Sequence, residues 1–418
     1  MDEKYDVLVI GGGVIGLCSA YYLRQSGASV AVLDKDDFSD GASWINAGLL
    51  VPSHLEPIAA PGVIAQGLKW LADPESPFYI KPRLDMELTR WLWGFQAACT
   101  KKNVDQAIPV LRDLALASLE LHDDLSNLPG FESAGLTHGG LLMLHNSPNS
   151  EKANLARADV AETAGLSIQR MSKSETLELD PEIRTPMNGS VFFRDDCTFD
   201  PEQFMRALIR QLETDGVHLH SHTEVTGFDS EANRVSNVKT SKGIVAADYV
   251  VLSAGSWSGI LGNKLEMRLP IQPATGYSIT VENPSSQLHI PLVVTDEHIT
   301  ITPLAGRIRF GGTLTLVGFD KKVDERRIKP LLRQAVLYSP ESNTDSTQLP
   351  ATRLGYRPCT TDGLPAIGLA NNWRNVIVAT GHSMLGMTQG PITGQIVADL
   401  VAGRKPRVDI SRLNPNRF

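Results

Sequence analysis

Cysteine is scarce in this chain: 4 of 418 residues, at positions 18, 99, 197 and 359, with no close spacing between them. A disulfide framework or a zinc ribbon needs clustered thiols, so neither is expected. Long apolar runs are missing as well. A membrane-spanning helix needs about 20 consecutive apolar residues, and the stretch from Val7 to Ala20 is broken by three consecutive glycines. Positive charge is outweighed, with 39 Lys and Arg against 47 Asp and Glu, a net charge of −8. A protein that tracks nucleic-acid phosphates needs a basic face, which this balance argues against. The chain opens on the acidic Met-Asp-Glu-Lys-Tyr-Asp, whereas an export signal starts basic. The expected compartment is the cytoplasm, either free or peripheral on the inner face of the membrane.

What remains is 42% hydrophobic and 21% charged, with length enough for two or three domains around a closed core. The 35 glycines are ordinary as a total. Their placement is not. Asp6–Ile10 reads as a buried parallel strand, followed by Gly11-Gly-Gly-Val-Ile-Gly16, an amphipathic helical pattern to Gly27, and a second strand over 28–33 ending at Asp34. In this order each glycine has a task. Gly11 permits the tight turn, Gly13 lets the backbone approach a pyrophosphate, and Gly16 lets helix and strand pack closely. The helix N-terminus offers free N–H groups to the pyrophosphate, and Asp34 stands where an acid accepts ribose hydroxyls. A dinucleotide site is expected.

The following loop, Gly41-Ala-Ser-Trp-Ile-Asn-Ala-Gly-Leu-Leu50, resembles the Ser-x-x-Asn-Ala-Gly segment of the FAD-dependent D-amino-acid oxidase-like superfamily. Ala247–Trp257, Leu354–Pro358 with Thr361–Pro365, and Asn375–Gly386 are similar to that family's later motifs. Two stretches, 50–62 and 307–320, look most like its bacterial D-amino-acid dehydrogenases. Thr275 and His54 depart from that branch, which often has Lys and Tyr there. The resemblance implies FAD as cofactor, held by Gly11, Gly13, Val14, Ile15 and Gly16, by Asp34 and Lys35, and by Ser43, Asn46, Ala47, Gly48 and Leu49. Val225, Ala254, Gly255 and Trp257 would follow, then Gly381, His382, Leu385, Gly386, Met387 and Thr388.

Cofactor motifs in three separated segments imply an α/β fold in which a Rossmann-like FAD-binding domain of glutathione-reductase type (1–60, 200–265 and 355–418) interleaves with a mixed-sheet α+β substrate domain (61–199 and 266–354). Helices are expected over 84–99, 104–128 and 151–164, strands within 290–303 and 307–316, and a helix from Pro391 to Val401 behind Gly381, Gly386 and Gly390. Residues 341–348 read as a polar loop. Trp70, Trp91, Trp93 and Phe95 suit helices packed over the site, with a membrane-interface anchor as the second reading.

The chemistry follows from the resemblance and from residue type. Arg357 matches the family's carboxylate-binding position, and a guanidinium grips a carboxylate with two parallel hydrogen bonds. Tyr277 and His54 are the next candidate substrate contacts, and His382 is expected to shape the flavin loop. No dedicated base is required, because a neutral amine can pass hydride directly. The expected reaction is oxidation of a D-amino acid, with D-proline or a hydroxylated relative in view, to an imino acid, electrons passing on to oxygen or a quinone. A glycine- or sarcosine-type amine oxidase and a flavin subunit of a larger electron-transfer complex are the alternatives. No metal and no nucleic acid are expected.

Overall fold

The computed structural model describes residues 4–70, 75–76, 78–340 and 352–418. Its first sheet holds β1 (Lys4–Ile10), β2 (Val30–Leu33), β9 (His218–His220), β10 (Val225–Glu231), β11 (Arg234–Thr240), β12 (Gly243–Leu252), β18 (Ala366–Leu369) and β19 (Val376–Thr380). Strands β19, β12, β1, β2 and β9 run parallel. Their apolar runs are buried on both faces, as the near-continuous Val, Leu and Ile of β1 and β2 require. On one face pack α1 (Val14–Gln25), α7 (Pro201–Thr214) and α10 (Gly386–Val401). On the other lie the β10–β11 arm and α8 (Ser258–Lys264).

The second sheet holds β4 (Phe78–Ile80), β5 (Leu141–His145), β6 (Ile168–Ser172), β7 (Gly189–Phe193), β13 (Gln272–Glu282), β14 (Leu292–Val294), β15 (Ile299–Leu304), β16 (Arg307–Leu316) and β17 (Arg353–Cys359). Strand alternation gives it two faces. Ile279, Ile301, Ile308 and Phe310 pack under α9 (Glu325–Tyr338). Leu141, Met143, Val191 and Phe193 on the opposite face pack under α5 (Pro148–Thr163). A two-stranded pair, β3 (Leu49–Leu50) with β8 (Cys197–Thr198), joins the loop after Asp34 to the second sheet. The remaining helices are α2 (Val63–Trp70), α3 (Met86–Ala98), α4 (Lys101–Ser126) and α6 (Lys173–Leu179). The fold is thus a Rossmann-like α/β unit interleaved with a mixed-sheet unit. We propose the two sheets as the cores of two domains, with β17 counted in the second and α4, which packs on α10, in the first.

Capping sets most helix limits. Asp85, Thr100 and Ser147 accept backbone N–H groups at the starts of α3, α4 and α5. The largest departure from expectation is α10. It begins at Gly386, not Pro391, and carries Pro391 inside. Proline cannot donate to the carbonyl four residues back. That carbonyl, Met387 O, instead meets His122 Nε2 from α4 at 2.9 Å. Gly394 lies where α1 and α10 cross, and a Cβ on it would stand 2.5 Å from Cys18 O. The expected strand over 290–303 is two, β14 and β15, joined by a turn. The 341–348 loop lies outside the described residues. Among the described residues, no helix is long and apolar enough to cross a membrane.

Candidate active site

One cavity of about 1470 Å³ runs between the two sheets. Its first end is built by backbone. Gly11 sits at φ +109° against Ser253 O, and a Cβ on Gly16 would fall 1.8 Å from Gly11 O, so both glycines are demanded by the strand–helix turn. Gly13 differs: a Cβ there meets only Ser43 Oγ, at 3.4 Å, and otherwise points into open space. Ser43 Oγ accepts Val14 N–H at 3.0 Å and so ties the later loop to the helix start. Asp34 is fixed by the amides of Gly12 (2.6 Å) and Asp36 (2.8 Å). Lys35 Nζ lies 4.4 Å from the ring of Trp257.

The same cavity continues past Asn46, Ala47 and Leu49, past Val225, Ala254 and Gly255, to His382, Leu385, Gly386 and Met387. Gly48, Gly381 and Thr388 stand behind its wall, as Gly16 does. Gly48 abuts Phe199 O, Gly381 abuts Thr360, and Thr388 Oγ1 accepts Val51 N–H at 3.2 Å. Arg309, 1% exposed, reaches over from β16 and donates to the carbonyls of Trp44 (3.4 Å) and Asn46 (2.9 Å), with Glu202 as its ion-pair partner. It thereby holds the shape of the 43–49 loop.

Arg357 occupies the junction of the two sheets. Its guanidinium lies flat on Gly276: a Cβ there would meet Nη1, Cζ and Nη2 at 2.0, 2.4 and 2.5 Å. Nη1 donates to Thr313 O at 2.8 Å. That carbonyl is aimed by a bulge in the β13–β16 ladder, where Thr313 adopts φ +64°. A β-branched residue in that region is strained. Among the described residues Arg357 has no carboxylate partner, and burial lowers its pKa. A desolvated guanidinium with no carboxylate partner and its remaining donors on a cavity can take an anion.

The other candidates divide. His54 lines the cavity, and burial, helped by the charge of Arg157, pushes its pKa down to about 4. Its neighbour Ser53 donates to Asp196 Oδ2 at 2.6 Å, and burial drives that carboxyl up to about 7. His382 is held neutral by burial, with pKa about 3, and its Nε2 meets Thr393 Oγ1 at 3.0 Å while Nδ1 has no partner among the described residues. Tyr277 touches the cavity but stands on the other face of β13 from Gly276. Its Oη accepts the amide of Asp324 at 3.3 Å.

Comparison with known proteins turns this geometry into a family. The profile described as FAD dependent oxidoreductase matches residues 6–400. The chain belongs to this family. It is 31% identical over 421 residues to a D-amino acid dehydrogenase of Granulibacter bethesdensis, covering 99% of each chain. To a D-amino acid dehydrogenase of Bradyrhizobium diazoefficiens it is 32% identical over 422 residues, covering 99% of this chain and 98% of the other. Among solved structures, glycine oxidase from Geobacillus kaustophilus superposes with a TM-score of 0.79 at 25% identity over 99% of both chains. L-proline dehydrogenase from P. horikoshii shares the fold, with TM-score 0.76 and 20% identity over 100% of this chain and 98% of the other.

This flavoprotein is an enzyme that acts on amino acids, with FAD as its cofactor, and its cavity suits that group. A Cβ on Gly255, as on Gly13, would enter cavity space, with no protein atom within 4 Å of it at Gly255. The orphaned Nδ1 of His382 lies on the same cavity. Gly276, Thr313 and Arg309 were missed by sequence reasoning. Arg309 alone carried a signal, a charge in an alternating strand at an inward position.

Proposed function

We propose that this chain oxidises D-amino acids at Cα, giving imino acids; the class includes cyclic members such as D-proline and hydroxy-D-proline. The observation that carries the reading is Arg357, unpaired and pressed onto Gly276 at the edge of the cofactor cavity. It would take the substrate carboxylate in a bidentate pair. The cofactor would be held by the glycine turn at 11–16, by Asp34, by the 43–49 loop and by the 381–388 loop. When bound, FAD would supply the hydride acceptor, N5, and the route by which electrons pass on to oxygen or a quinone. His54, neutral at pH 7, offers a ring nitrogen to the substrate amine without adding a second charge. Tyr277 packs behind β13, where it backs the strand that carries Gly276. The amide end of α10 faces the cavity at Gly386, and favours negative charge near it.

A glycine- or sarcosine-type amine oxidase is the second reading, favoured by the likeness to glycine oxidase. Mixing the yellow protein with candidate amines under anaerobic conditions, and following flavin bleaching, separates the two. Arg357→Ala should lower kcat/KM for a D-amino acid about 10²- to 10⁴-fold, the loss of two hydrogen bonds to charged groups, with the flavin spectrum intact. Unchanged kinetics would overturn the assignment.

A further inference from the structure

Helix α5 lends Arg157 and Val160 to the cavity lining, which holds Arg157 besides Arg357 and the ion-paired Arg353. Asn154, fully buried, ties α5 to the second sheet. Its Nδ2 donates to the carbonyls of Met143 (3.2 Å) and Leu144 (3.3 Å), and its Oδ1 accepts Thr295 Oγ1 at 2.9 Å. Arg157, three residues on, donates from Nη1 to the same Oδ1 at 3.3 Å and lines the cavity. Among the described residues it makes no ion pair. Glu56, on the rim loop, is exposed and pairs with neither arginine.

Strand register places the two cations relative to each other. Gly312 pairs with Ile299, and Ile299 with Val294. The next residues outward, Thr313, His298 and Thr295, therefore follow one line across β16, β15 and β14. Arg357 is bonded to Thr313 at one end of this line. Arg157 is tied through Asn154 to Thr295 at the other. Two strand spacings, about 10 Å, separate Thr313 from Thr295, so the two guanidiniums are tied to neighbouring parts of one sheet end. Between them Gly311 presents no side chain to the cavity, and a Cβ there would meet only Ala47, at 3.9 Å. The histidines beside Arg157 add no charge: His54 and His298 are both held toward the neutral form, by burial first and by the guanidinium second.

We infer that Arg157 is a second carboxylate seat, and that the preferred substrate is an acidic D-amino acid. Its α-carboxylate sits on Arg357 and its side-chain carboxylate on Arg157. A dicarboxylate with a neutral amine matches two guanidinium charges, whereas an uncharged side chain leaves Arg157 to water. The inference rests on the D-amino-acid reading above for turnover, but not for binding.

The test uses the FAD-loaded full chain with an artificial electron acceptor and four substrates: D-glutamate, D-aspartate, D-alanine and D-proline. One acidic substrate should exceed D-alanine and D-proline at least tenfold in kcat/KM. In Arg157→Leu the ratio of that substrate to D-alanine should fall at least 50-fold, mainly through KM, and Arg157→Lys should restore part of it. Equal or better turnover of D-alanine or D-proline by the wild type overturns the inference. So does an equal loss on every substrate in Arg157→Leu, which would mark a merely structural residue. Calorimetric titration with glutarate and butyrate, neither of which is an amine, keeps the two readings apart. Glutarate binding at least tenfold tighter than butyrate, with the gap lost in Arg157→Leu, supports the seat even if no D-amino acid is oxidised. Equal binding of the two removes it.

Discussion

On the proposed reading, the two ends of the cavity recognise their ligands by different means. At the cofactor end the surface is mostly backbone from short runs of chain: the turn at 11–16, the loop at 43–49 and the loop at 381–388. At the substrate end each polar group comes singly from its own strand or helix, Arg357 from β17, Thr313 from β16, His54 from the loop after β3 and Arg157 from α5. Backbone recognition needs particular residues at particular neighbouring positions, chiefly glycine. Side-chain recognition across a sheet needs only that distant strands pair in one register. The first kind leaves a mark in sequence and the second leaves almost none.

The sharpest way to break the comparison is within the glycine turn itself. Gly16→Ala puts a methyl 1.8 Å from a backbone oxygen, which no rotamer change relieves. We expect loss of more than about 4 kcal/mol and little folded protein. Gly13→Ala meets only Ser43 Oγ at 3.4 Å, so the protein should fold, melt within a few degrees of wild type when stripped of cofactor, and bind FAD at least tenfold more weakly. Thermal melting of the apoprotein and absorbance near 450 nm read the two effects. Equal behaviour of the two variants would mean that the cradle does not use backbone approach.

The legibility of the chain follows the same divide. The strand–turn–helix start, Asp34 and the two late glycine loops were readable, because each is set by neighbours a few residues apart. Arg357 was readable only through resemblance. Gly276 was passed over inside Thr275-Gly-Tyr-Ser278, since its need is created by a side chain 81 positions later. Tyr277 was ranked above it because a tyrosine has visible chemistry, yet its hydroxyl is occupied by Asp324 on the far face of β13. The start of α10 was misplaced because Pro391 is tolerated by a bond from His122, on a helix 265 residues away in sequence.

Gly276 gives the next largest effect. Gly276→Ala would drive a methyl into the Arg357 guanidinium at 2.0–2.5 Å. The arginine must leave its seat while the sheet, whose pairing is through backbone, persists. KM for an amino acid should rise about 10- to 100-fold, with kcat and the flavin spectrum changed far less. An unchanged KM would show that Arg357 does not need this seat.

The smallest effect separates the two ends by pH. In the cofactor end, His122 under Met387 and His382 are both held low by burial, to about 4 and about 3. A folded-state pKa below the usual 6.5 means that stability present above pH 6.5 is lost as pH falls toward 4, by up to about 1.4 kcal/mol per pH unit for each group. In the substrate end the groups oppose one another. His54, at about 4, and His298, also lowered by burial, act with the same sign. Asp196, raised to about 7, is protonated in the folded protein, so its contribution is full at low pH and fades as pH rises toward 7. Acidification from pH 6.5 to 4 should therefore loosen the cofactor end more than the substrate end, where Asp196 offsets part of the histidine loss. Free-flavin fluorescence should appear on acidification before the far-ultraviolet circular dichroism changes. Asp196→Asn removes the offset without removing Ser53's partner, so the two transitions should then move together. Flavin release that is independent of pH over this range would show that the buried histidines do not tune the cradle.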